Sequence, residues 1–359
     1  MARQEGPYTD RVRKALGLAA RYTATAKKEE VTPALMLAGL LAVEHSVARS
    51  MLRKLGIDIG TLEGLFPPAP RPAEPVRVDG IGYSGGARMV VESALRAARE
   101  LGARHVGTEH LLVALLEAGG TEVSQALSQA GLKPTRLRLQ ILRQMGAAAG
   151  RLEEARLYVL LTASVASAPL FQAAEALIAG GADVIQYREK ELPDGPFLAN
   201  ALTLREMTRK AGVLFLINDR ADVALLAEAD GVHLGQMDLP VGEARRLLGP
   251  TRIVGASTHN EREARVALLQ RPDYIAAGSI FPTATKEAEV GGLAYLSLLL
   301  GKVKPDCPVY PIGGITLENL REVLAAGADR VAVSSAIIGA PDIRAACAEF
   351  KSRLPGGGK

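Results

Sequence analysis

The sequence predicts an α/β fold class: a (β/α)₈ TIM barrel at the C-terminus, preceded by an all-α helical repeat domain. Three observations predict it. Beyond residue 156, short apolar runs alternate with helical segments about every 25 residues, the spacing of a small barrel of buried parallel strands. Residues 8–145 instead carry apolar side chains at three- and four-residue spacing, as at Leu111, Leu112, Leu115 and Leu116, with few β-branched runs. Within that half, two segments are alike at an offset of about 75 residues, the mark of a duplicated unit.

The helical half needs no strands. Thr32, Leu35, Ala38 and Leu40 of the first copy match Thr108, Leu111, Ala114 and Leu116 of the second, and Leu52 and Gly56 match Leu127 and Gly131. Thr108 is read as a helix N-cap ahead of Glu109, and Gly131 as the residue that closes the following helix. Between the copies, residues 66–80 hold Pro67, Pro68, Pro70, Pro72 and Pro75, which rules out a helix and makes an extended linker. Gly146 and Gly150 flank three alanines, a composition that reads as a flexible joint. The predicted domains are therefore 1–145 and 156–359, with 146–155 as linker.

Eight strands are predicted in the second domain, at 157–161, 183–187, 213–217, 231–234, 253–256, 274–277, 309–312 and 330–333. An open doubly wound sheet ranks lower. Eight evenly spaced units close naturally, and the residues with chemical potential all follow strand ends.

The chain has 359 residues, 48% of them hydrophobic, and a net charge of +4. The basic excess lies in the first 150 residues, without Trp and without aromatic interleaving, so a nucleic-acid partner is not expected. No apolar stretch reaches the length of a membrane span, and none is expected to cross one. Two scattered cysteines, Cys307 and Cys347, fit neither a disulfide framework nor a zinc site, and a reducing cytoplasm is the expected compartment.

The strand ends supply a converging set of groups. In Gln186-Tyr187-Arg188-Glu189-Lys190, alternation points Gln186, Arg188 and Lys190 the same way, toward the barrel mouth. Asp219 of Asn218-Asp219 and Asp238 of Gly235-Gln236-Met237-Asp238 sit at neighbouring strand ends, where two hard oxygen donors suit Mg²⁺. Each could otherwise cap the helix that follows it. His233, inside an apolar strand, is read as a packed residue, or as one that supports a neighbouring site residue, rather than a zinc ligand. Ser257-Thr258-His259 follows the fifth strand, and Thr283-Ala284-Thr285-Lys286 follows the sixth as a polar, cationic anion clamp. Gly313-Gly314 and Ser334-Ser335 stand where a barrel binds phosphate through bare backbone N–H groups.

Taken in order, Gln186 to Lys190, Asn218-Asp219, 231–238, Ser257 to His259, Thr283 to Lys286 and 312–315 resemble the motifs of the thiamine phosphate synthase family across 156–354. The resemblance implies that Gln186, Tyr187, Arg188, Glu189, Lys190, Asn218, Ser257 and Lys286 hold a pyrimidine diphosphate, and that Thr283, Ala284, Thr285, Gly314, Ser334 and Ser335 hold a thiazole phosphate. Asp219 and Asp238 would hold Mg²⁺, and Arg188, Lys190 and Lys286 would carry catalysis by neutralising the departing pyrophosphate. Tyr187 and Ser334 depart from the aliphatic residues expected at those places, and Ala163 follows Thr162 where the family often has Asp. Residues 8–145, with Val106-Gly107-Thr108-Glu109-His110-Leu111-Leu112 as the most recognisable piece, resemble the double Clp N-terminal repeat domain. That likeness implies a protein or peptide partner, and no G-x-x-x-x-G-K-[ST] loop follows to make an ATPase. Two other readings are a thiazole tautomerase-like enzyme, which would lack the Thr-x-Thr-Lys loop present here, and a Clp-type docking or adaptor protein with a degenerate barrel.

Overall fold

A computed structural model describes residues 6–68, 82–282, 290–303 and 305–356. It divides into two compact units, 1–150 and 151–359, with Gly249–Thr251 grouped with the first.

In the first unit the duplication is visible as two sets of four helices. The first set is α1 (Asp10–Thr25), α2 (Pro33–Leu41), α3 (Val47–Lys54) and α4 (Ile59–Glu63). The second is α5 (Gly85–Glu100), α6 (Thr108–Ala118), α7 (Gly120–Gln129) and α8 (Pro134–Gln144). Helices α2 and α6 are apolar on nearly every face and form the core that the amphipathic helices cover.

The strand-free expectation fails at two short places. Strand β1 (Glu30–Val31) pairs in parallel with β2 (Gly82–Tyr83), and Tyr8 makes an isolated parallel bridge to Val106. The two contacts are mirror events: each copy's lead-in segment pairs with the stretch after the first helix of the other copy. Two-residue strands leave no periodicity in a sequence, and their partners are distant along it. Thr9 and Ser84 then cap α1 and α5 through their hydroxyls.

Thr108 does not cap α6. It is the first helical residue, and its hydroxyl accepts from the Ala48 amide at 3.2 Å. Gly131, at φ +72°, does follow the end of α7 in the left-handed conformation. Of the Pro-rich segment, residues 69–80 lie outside the described residues. Across the expected joint, Ala148–Glu153 forms a 3₁₀ helix with Ala149 and Leu152 fully buried. Gly150 is required there by close approach, because a Cβ would lie 2.2 Å from the Arg143 backbone nitrogen.

The second unit is a nearly closed barrel of eight parallel strands. They are β3 (Leu157–Leu161), β4 (Val184–Tyr187), β5 (Leu214–Asn218), β6 (Gly231–Leu234), β7 (Ile253–Thr258), β8 (Tyr274–Ala277), β9 (Val309–Pro311) and β10 (Val331–Val333). The hydrogen-bonded order runs from β10 through β3 and on in sequence to β9. Nearly every strand residue is buried, which is why the runs are continuously apolar.

At the N-terminal end of the barrel a device repeats. Asp183, Asp230 and Asp273, each just before an even-numbered strand, accept the backbone N–H groups of Leu157, Phe215 and Val254 on the strand before. Arg205 at 2.9 Å pairs with Asp230, and Arg245 pairs with Asp273, so these buried carboxylates are matched. Nearby, Tyr310 Oη donates to the Ala155 carbonyl at 3.0 Å, and Arg330 donates to the carbonyls of Leu152 and Ala155 at 3.2 Å. Residues 152–155 thus belong to the barrel's floor. Cys307 and Cys347 are both buried. Among the described residues, no helix is long and apolar enough to cross a membrane.

Candidate active site

The C-terminal ends of the strands surround a cavity of about 750 Å³. Parallel pleating sends alternate residues to opposite faces, and β4 shows the result: Gln186, Arg188 and Lys190 line the cavity. Tyr187 goes the other way. It is fully buried, stacked on Phe197 with ring centres 4.8 Å apart, and its hydroxyl accepts from Asn200 Nδ2 at 3.0 Å. Glu189 also turns from the cavity and accepts from the Ala163 amide at 2.5 Å. The Tyr187 and Glu189 side chains therefore support the loop, and what Tyr187 can offer a substrate is its backbone groups.

Asn218, at the end of β5, and Asp219 both line the cavity. Asp219 takes a left-handed φ of +63°, and its N–H donates to the His233 carbonyl at 2.8 Å. The helix that follows has Arg220 at its N-cap without a side-chain bond, so Asp219 is not spent on capping. Asp238 Oδ2 accepts from the Gly235 amide at 2.6 Å, which closes its turn backward rather than capping forward. Burial first, and then the facing Asp238 carboxylate, push Asp219 up to about 6, while Lys190 and Arg188 pull the other way. Among the described residues no group of three or more His, Cys, Asp and Glu could hold a metal ion. The pair Asp219 and Asp238 is what the cavity offers, and Mg²⁺ is commonly held by one or two carboxylates together with substrate phosphates.

On the opposite wall lie Gly313, Gly314, Ser334 and Ser335. Gly314 has φ +63°, and a Cβ there would come within 2.5 Å of the Pro282 carbonyl oxygen, so the bare backbone is a steric requirement. Ser334 Oγ donates to the Leu160 carbonyl at 3.3 Å, which leaves backbone groups as its offering to the cavity. Thr283, Ala284, Thr285 and Lys286 lie outside the described residues.

Several lining residues were not singled out from the sequence as ligands. Thr162 contributes a buried hydroxyl with no hydrogen-bond partner among the described residues. His259 lines the rim, with Nδ1 2.8 Å from Glu263 Oε2. Burial raises Glu263, but the bonds from His259 outweigh it and hold the carboxyl below its usual range. The four-residue spacing from His259 to Glu263 was the available signal. His233, read as a packed or supporting residue, bonds a site residue: its Nε2 lies 2.8 Å from Ser257 Oγ.

With this geometry in hand, the comparisons with known proteins are specific. Residues 157–337 match the family model described as thiamine monophosphate synthase. Residues 7–130 and 82–177 match that of the Clp repeat (R) N-terminal domain, and the two matches begin one repeat apart. The thiamine-phosphate synthase of Methanoculleus marisnigri is 46% identical over 176 residues, 49% of this chain and 83% of that protein. That of Moorella thermoacetica is 45% identical over 199 residues, 54% of this chain and 93% of that protein. Among solved structures, thiamine phosphate pyrophosphorylase from Pyrococcus furiosus is similar with a TM-score of 0.52 and 40% identity, covering 55% of this chain and 95% of that one. The chain belongs to the thiamine monophosphate synthase family.

Proposed function

We propose that the barrel is a transferase that joins 4-amino-2-methyl-5-(diphosphooxymethyl)pyrimidine to a thiazole phosphate, giving thiamine phosphate and pyrophosphate. The observation that carries this reading is the gathering of Arg188, Lys190, Asp219 and Asp238 in one cavity that also holds Gly313 and Gly314. Cations and a carboxylate pair suit a diphosphate, and bare amides suit a second phosphate.

The bond from the pyrimidine methylene carbon to the diphosphate oxygen breaks, and the oxygen keeps the electron pair. The thiazole nitrogen then forms the new carbon–nitrogen bond. The aminopyrimidine itself stabilises the methylene cation, so no protein nucleophile is required. Arg188 and Lys190, with Lys286, oppose the negative charge that builds on the leaving pyrophosphate, the kind of contact that lowers a barrier most when it is aimed at developing charge. Asp219 and Asp238 would hold Mg²⁺: their facing, half-buried carboxylates repel each other, a strain that a divalent cation relieves. When bound, Mg²⁺ supplies further charge neutralisation at the diphosphate oxygens. Gln186, Asn218 and Ser257 orient the pyrimidine, and Gly314, Ser334 and Ser335 seat the thiazole phosphate, together with Thr283, Ala284 and Thr285.

The paired cations and carboxylates favour this reading over a tautomerase-like one, which needs neither. The helical unit is read as a docking module for a protein or peptide, and the whole chain as a cytoplasmic protein. Incubating the full chain with both substrates and Mg²⁺ should yield thiamine phosphate and pyrophosphate in equal amounts. No product under any ratio of the two substrates would overturn the assignment.

A further inference from the structure

Four hydrogen bonds run unbroken through the barrel interior. Gln186 Nε2 donates to Tyr158 Oη, which lies 2.8 Å from Tyr274 Oη. Tyr274 Oη lies 2.8 Å from His233 Nδ1, and His233 Nε2 lies 2.8 Å from Ser257 Oγ. Both ends, Gln186 and Ser257, line the active-site cavity.

Each link needs one donor and one acceptor, and each hydroxyl has a single proton to give. Because Gln186 Nε2 can only donate, Tyr158 passes its proton toward Tyr274, and Tyr274 passes its own toward His233 Nδ1. The imidazole is then neutral with its proton on Nε2, which donates to Ser257 Oγ. Any break in this sense would strand a buried hydroxyl proton. Burial pushes the Tyr158 and Tyr274 hydroxyls well above their ordinary range, so both keep their protons.

The two ends consequently show the cavity opposite faces. Gln186 Oε1 is a buried acceptor with no partner among the described residues. Ser257, already accepting from the imidazole, has its O–H free to donate. A ring with an exocyclic amine and a ring-nitrogen lone pair matches both ends. A ring with a carbonyl and a ring N–H matches neither, unless the Gln186 amide turns over and all four links reverse together.

We propose that the Tyr158–Tyr274–His233 chain is a specificity-determining positioning element that holds Gln186 as acceptor and Ser257 as donor and thereby selects a 4-aminopyrimidine over its 4-oxo analogue. The inference rests on the pyrimidine reading of the site given above. Tyr310 supplies an internal control. It packs edge-on against both Tyr158 and Tyr274 at 5.4 Å, but its hydroxyl bonds to the Ala155 carbonyl, away from the chain.

The test uses the full chain as wild type, Tyr274→Phe and Tyr310→Phe. Binding of the 4-amino and 4-oxo pyrimidine diphosphates is measured by calorimetry, and the His233 tautomer is read from ¹⁵N spectra of histidine-labelled protein. Wild type should carry the Nε2–H tautomer and prefer the 4-amino ring. Tyr274→Phe should shrink that preference by roughly tenfold or more, and Tyr310→Phe should leave both readouts unchanged. If Tyr274→Phe does not fold, Tyr158→Phe breaks the same chain one link away and takes its place. An unchanged preference in the folded variant, an equal loss in Tyr310→Phe, or an Nδ1–H tautomer in wild type would overturn the proposal. Failure of wild type to bind either ring would instead sink the functional reading and the ring selection built on it, and the tautomer would still decide the polarity of the chain.

Discussion

Glu189 accepts a 2.5 Å hydrogen bond from the backbone amide of Ala163, tying the loop after β4 to the end of β3. The contact uses the main chain of residue 163, so it does not depend on which side chain stands there. It fixes the segment from which Arg188 and Lys190 project, and a charge-assisted bond of this kind contributes about 1.5–3 kcal/mol. Glu189→Ala should raise KM for the pyrimidine diphosphate roughly tenfold, while Glu189→Gln, which still accepts, should change it much less. Equal effects of the two in steady-state kinetics would remove this role.

Lys190 and Lys286 are expected to act on charge that appears only as the carbon–oxygen bond breaks. Lys190→Ala and Lys286→Ala should each lower kcat by ~10²–10³. Single-turnover rates at saturating substrate check this, and a large rise in KM with kcat intact would reassign either lysine to binding alone.

The facing carboxylates make a pH prediction of definite sign. Asp219 in the folded protein is pushed up to about 6, above its ordinary 3.8. The contribution of Asp219 to the stability of the metal-free barrel should therefore be fully present below the ordinary value and be lost as the pH rises through about 6. Mg²⁺ binds the deprotonated pair, so it should raise Tm more at pH 7 than at pH 5. Asp219→Asn should abolish both the pH step and the Mg²⁺ shift, and should lower turnover strongly. Thermal scans with and without chelator decide it: a Tm indifferent to Mg²⁺ at pH 7 would discard the metal assignment.

Placement of a cut between the two units should matter sharply. Residues 152–155 provide the carbonyls that satisfy Tyr310 and the buried guanidinium of Arg330. A fragment that begins at Gly146 should fold and keep synthase activity. One that begins at Arg156 leaves Arg330 short of acceptors, at a cost of about 2 kcal/mol or more, roughly 4–8 °C in Tm for a unit of this size. Calorimetry of the two fragments separates these outcomes, and equal Tm values would deny the 3₁₀ segment its structural role.

What the sequence revealed, and what it hid, follows from the range of the interactions involved. All eight barrel strands were readable because strands buried on both faces are continuous apolar runs, and their observed limits differ from the expected ones by at most two residues. Alternation likewise placed Gln186, Arg188 and Lys190 in one cavity. It could not tell that Glu189 bonds to Ala163, since that contact joins different strand ends. Tyr158 and Tyr274 read as ordinary strand apolars, because nothing local distinguishes a packed tyrosine from one that bonds through its hydroxyl. Glycine records both freedom and crowding, and only the fold shows that Gly150 meets a crowded place beside Arg143.

The reciprocal pairing of Tyr8 with Val106 and of Val31 with Tyr83 gives the helical unit the character of a swapped dimer written into one polypeptide. Each copy completes its neighbour, so neither possesses a finished edge of its own. These strand contacts are made by residues on either side of 69–81. Severing the chain there would turn an intramolecular assembly into a two-chain complex, and the halves would melt together in one transition.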